Sequence, residues 1–73
     1  MNGNEFLRRV RRLCKKRKQT YKWHPELGKG SHGVLRIDNR FTVLRNLKDE
    51  LTKGTLHGML KQLGLKEEDL HNP

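Results

Sequence analysis

The sequence predicts a small α+β domain of two layers, in the order α-β-β-β-α. A three-stranded antiparallel sheet carries both helices on one face. Three observations predict it. Apolar residues recur at three-and-four spacing in two separate stretches, the mark of two amphipathic helices. Between them lie short runs of strand formers, broken at Pro25 and at Asp38-Asn39. Finally, 73 residues of which 32% are hydrophobic allow a single domain, 1–73, with one modest core.

The first helix is expected from residue 3 to about 17. Asn2 and Glu5 stand three apart, as a capping box requires: Asn2 closes the first amides and Glu5 reaches back. Phe6, Leu7, Val10, Leu13 and Cys14 form its apolar stripe, and arginine and lysine cover the rest. Thr20-Tyr21-Lys22-Trp23 alternates as a strand that ends at Pro25, with Tyr21 and Trp23 on one face and at least one of them in the core. Glu26 to Gly30 is expected as a loop.

Residues 32–37 and 41–45 are expected as the second and third strands. A two-residue turn at Asp38-Asn39 would set Val34 and Val43 on one face, against Arg36 and Arg45. A three-residue loop instead pairs Ile37 with Phe41 and Leu35 with Val43. Burial of one clean apolar face favours the three-residue loop. His32, Val34 and Arg36 then share the exposed face. Thr52 is the expected N-cap of the last main helix, Leu56, Met59, Leu60 and Leu63 its buried stripe, and Gly64 its stop. His57 falls on its exposed flank. Lys66-Glu67-Glu68-Asp69-Leu70 adds one acidic turn.

Composition narrows the function. The formal net charge is +9 and the pI about 10.3. Such a surplus on a small surface repels itself and calls for a polyanion, most commonly nucleic acid. An anionic membrane surface or an acidic protein, met through the basic first helix, is the rival. Cys14 is the lone cysteine, which excludes an internal disulfide and a thiolate metal cluster. It is expected half-buried rather than nucleophilic. No uninterrupted apolar run suits a signal peptide or a membrane span, so a cytoplasmic protein with no membrane partner is expected.

The four histidines stand at 24, 32, 57 and 71, without the spacing of a zinc site, so no metal and no cofactor are expected. Ser31 and His32 are neighbours and would point to opposite faces of a strand, against a serine–histidine nucleophile. The Gly28-x-Gly30 loop opens no helix, against a dinucleotide or phosphate-loop site. RNA cleavage asks for less, because the substrate brings its own 2′-hydroxyl nucleophile. His32 can move one proton near neutrality, and Lys29 and Arg36 can neutralise charge that develops on phosphorus. One histidine cannot be acid and base at once, so a slow enzyme or a second participant is implied.

Two blocks then carry a family likeness. Lys29-Gly30-Ser31-His32 resembles the Gly-Ser-His motif of the HicA toxins, the small mRNA interferases of bacterial toxin–antitoxin pairs. Lys53-Gly54-Thr55-Leu56, running through Met59-Leu60-Lys61-Gln62-Leu63-Gly64-Leu65, is similar to their Lys-x-Gly-Thr-Leu helix and its Leu-Lys-x-x-Gly-Leu ending. Glu67-Glu68-Asp69-Leu70 fits the acidic turn of relatives. The resemblance covers nearly the whole chain and is strongest over 28–70.

It implies a fold related to double-stranded-RNA-binding domains and ribosome-independent cleavage of mRNA by a single catalytic histidine, His32, without metal. It also implies a HicB-type antitoxin that masks the site, with the toxin a monomer when free and part of a heteromeric complex when inhibited. The candidate RNA-binding residues are Lys29, Ser31, Arg36, Lys53, Arg12, Lys15 and Lys16. The alternative is a non-catalytic RNA-binding module of double-stranded-RNA-binding type.

Overall fold

In a computed structural model, residues 1–27 and 32–71 are described. Helix α1 spans Gly3–Arg17, strand β1 Tyr21–His24, strand β2 Gly33–Ile37, strand β3 Arg40–Leu44, helix α2 Lys53–Leu63 and helix α3 Glu67–His71. A 3₁₀ turn, Pro25–Leu27, follows β1. The strands lie in the order β1-β2-β3, all antiparallel. The α-β-β-β-α order is as expected, and the acidic turn becomes α3.

Local chemistry sets the helix ends. The Asn2 side chain accepts the Glu5 amide at 2.9 Å. The other half of the capping box does not form, because Glu5 pairs with Arg8 and Arg9, one turn further along α1. Thr52 caps α2 by accepting the Thr55 amide at 3.2 Å. Gly64 ends α2 in the left-handed region at φ 72°, which frees its amide for the Leu60 and Lys61 carbonyls.

The core lies between the helices and one face of the sheet. Phe6, Val10, Leu13 and Cys14 of α1 meet Leu35, Ile37 and Leu44 of the sheet and Leu56, Met59, Leu60 and Leu63 of α2. Leu70 brings α3 in, and Tyr21 and Trp23 pack against the margin. Cys14 is fully rather than half buried, and that burial pushes its thiol pKa up, away from the reactive thiolate. The segment between β3 and α2 is tied to the start of α1: the Asn4 amide donates to the Leu47 carbonyl and the Leu51 amide to the Met1 carbonyl.

The β2–β3 register corrects the expectation. Ile37 pairs with Arg40, Arg36 with Phe41, Leu35 with Thr42 and Val34 with Val43, around a two-residue turn at Asp38-Asn39. Asp38 takes positive φ, 53°, and is held there by neighbours. Its amide donates to the Thr20 carbonyl and its carboxylate accepts from the Thr20 amide and from Gln19. In this register Thr42 and Leu44 face the core, while Phe41 and Val43 stay 56% and 47% exposed on the outer face. Thr42 can be buried because its hydroxyl donates to Gln62 Oε1 of α2. One clean apolar face would have needed Phe41 and Val43 inside, and a hydrogen-bonded threonine takes that place instead.

Among the described residues, no helix is long and apolar enough to cross a membrane.

Candidate functional site

His32 stands immediately before β2. The direction of its side chain follows from its neighbour. A β-carbon built on Gly33 would lie 2.5 Å from Trp23 Cζ2, so Gly33 turns its bare side to the indole, on the helix-bearing face. Strand alternation then sends His32 to the opposite, outer face, with Val34 and Arg36. His32 is half-buried. This matches the expected placement of His32 and Arg36, although the register that led to it was different.

Two cross-strand rows make up the outer face. Lys22, Arg36 and Phe41 lie in one, and His24, Val34 and Val43 in the next, nearer His32. Lys22 and Arg36 are both exposed and stand directly opposite each other. Like charges so placed destabilise a sheet, so a bound anion between them would relieve a built-in repulsion. His24 Nδ1 meets Glu26 Oε1 at 3.1 Å. The Glu26 carboxyl is held below the usual carboxylate range, first by a hydrogen bond to its own backbone amide and then by His24.

The remaining candidates divide by position. Lys53 is the exposed first residue of α2. A groove lined by Val43, Arg45, Thr52 and Thr55 sets the start of α2 beside the end of β3. Leu44, at that end, pairs with Gly33, so Lys53 belongs to the same end of the domain as His32. Lys15 and Lys16 are exposed at the other end, where α1 leads into Gln19 and Thr20 against the Asp38 turn. Arg12 is exposed over a hollow between α1 and α3, with Arg8, Arg9, Leu70 and His71.

The structure therefore sets His32 and Arg36 on one face of the sheet, four residues apart, puts Lys53 on α2 at the His32 end of the domain, and leaves Arg12, Lys15 and Lys16 away from that face. Lys29 and Ser31 lie outside the described residues. Lys22, His24, Glu26 and Arg45 were missed in the sequence. Their only signal there is the alternation of Lys22 with His24, which means little until the β1–β2 register is known.

His57 lies on the exposed flank of α2, as expected, 3.6 Å from Glu67. Compared with protein-family models, with curated proteins and with solved structures, the chain gives no match.

Proposed function

We propose that this protein is a metal-independent endoribonuclease of HicA type, the toxin of a toxin–antitoxin pair, with His32 as its catalytic residue and mRNA as its substrate. One observation carries the reading. A histidine stands immediately before β2, on the outer face of a sheet where Lys22 and Arg36 are cross-strand partners with no ion-pair partner among the described residues. Arg36 stands four residues, about 13 Å, along the strand from His32, so a phosphodiester at the imidazole would meet these two cations through their extended side chains. The cations would take up charge as phosphorus becomes five-coordinate, and His32 would exchange a proton with the ribose 2′-oxygen or the leaving 5′-oxygen.

Arg12, Lys15 and Lys16 contribute in this reading by long-range attraction, holding RNA that extends past the reacting linkage. Lys53 and the free amides at the start of α2 supply a further phosphate contact beside the site. A HicB-type antitoxin would neutralise the toxin by covering this outer face, with acidic groups set against Lys22 and Arg36. The free toxin is proposed to be a cytoplasmic monomer.

The experiment is cleavage of a labelled RNA by the purified protein in EDTA. Cut fragments are the expected result. Salt-sensitive binding without fragments, at any protein concentration, would replace this reading with that of a non-catalytic RNA-binding module.

A further inference from the structure

A single imidazole leaves the chemistry half supplied. Cleavage by a 2′-hydroxyl needs one group to take a proton and another to give one. We infer that His24, steadied by Glu26, is the second proton-transfer residue, working across a bound phosphodiester from His32. This rests on the ribonuclease reading above.

The geometry carries it. His24 is the last residue of β1 and pairs with Val34. Extending β2 by the one residue before Gly33 puts His32 two residues from Val34 on the same face, the position diagonal to His24. Diagonal neighbours in an antiparallel pair stand about 7–8 Å apart, room for a phosphate between two rings. The chain does not leave after His24, because the turn Pro25–Leu27 remains packed beside β2.

His24 also has no part in the core, which lies on the other face of the sheet. Its Nδ1 is taken up by Glu26, which leaves Nε2 for a substrate, the arrangement by which a carboxylate orients an imidazole. The charged groups on its own face are Lys22 from β1, Arg36 from β2, Glu26 from the turn and, by the same alternation that places His32, Arg45 immediately after β3, whereas β3 itself contributes Phe41 and Val43. The helices lie behind the sheet.

The step balances. One imidazole, neutral, takes the proton from the 2′-hydroxyl as its oxygen bonds to phosphorus. The other, protonated, gives its proton to the 5′-oxygen as the P–O5′ bond breaks. The products are a 2′,3′-cyclic phosphate and a 5′-hydroxyl. No metal, oxidant or water is consumed.

The test compares wild type, His24→Ala, Glu26→Gln and His32→Ala on one labelled RNA in EDTA, measuring rate against pH and RNA affinity in parallel. His24→Ala should lose about 10²–10⁴-fold in kcat while its RNA affinity stays close to wild type. The bell-shaped pH–rate profile should keep only one limb. Glu26→Gln should lose less rate than His24→Ala and keep both limbs. If His24→Ala cleaves at the wild-type rate with an unchanged profile while His32→Ala is inactive, His24 has no catalytic role and the ribonuclease reading stands. If wild type itself does not cut, both fall together.

Discussion

Trp23 lies across Gly33 so closely that a β-carbon at position 33 would meet the indole at 2.5 Å from Cζ2. The contact joins β1 to β2 directly beside His32, and it explains why the residue after that histidine has no side chain. Gly33→Ala must push the indole or the strand aside. Overpacking of this kind costs about 1–3 kcal/mol, read by chemical denaturation. Trp23→Leu in the same chain should return part of the loss, because it removes the ring that the new methyl strikes.

The cationic pair on the outer face predicts opposed effects on folding and on binding. Arg36→Ala removes a like-charge neighbour of Lys22, so stability should hold or rise by a few tenths of a kcal/mol. RNA affinity should fall, and the slope of log K against log salt should shrink by about 0.7 for the lost single-strand phosphate contact. Lys15→Ala with Lys16→Ala should also weaken binding and its salt dependence, but leave kcat unchanged, since both sit at the far end of α1.

Asp69 predicts an acid limb in the stability curve. Its carboxylate accepts the Lys66 amide at 2.9 Å and the Arg17 guanidinium at 2.9 Å. The amide bond first, and then the guanidinium, hold the carboxyl below its ordinary range. A carboxyl depressed in the folded state adds stability above its unfolded pKa of about 3.9, and that contribution is lost as pH falls through the folded value. Below pH about 4, wild type should therefore lose stability more steeply than Asp69→Asn, measured by thermal unfolding across pH.

Much of the fold was legible because its signals are local. Asn2, Thr52 and Gly64 act within a turn of where they stand, and the two apolar stripes specify which helix faces are buried. The β2–β3 register was not legible, because it depends on a partner distant in sequence. Thr42 can go inside because its hydroxyl donates a hydrogen bond to Gln62 of α2, and Phe41 and Val43 are then left outside. Leu70 shows the same limit: a short acidic turn does not reveal that its leucine is buried in the core. Of the candidate site, His32 and Arg36 were legible from alternation within one strand. His24 and Lys22 needed the pairing of β1 with β2, which no spacing along the chain encodes.

The central claim is that the His32 ring does chemistry on RNA rather than serving as part of the fold. The most direct measurement is the cleavage rate of His32→Ala in EDTA, alongside its unfolding midpoint and its RNA affinity. The account predicts an intact fold, binding close to wild type and no detectable fragments. Wild-type cleavage by that variant would contradict it.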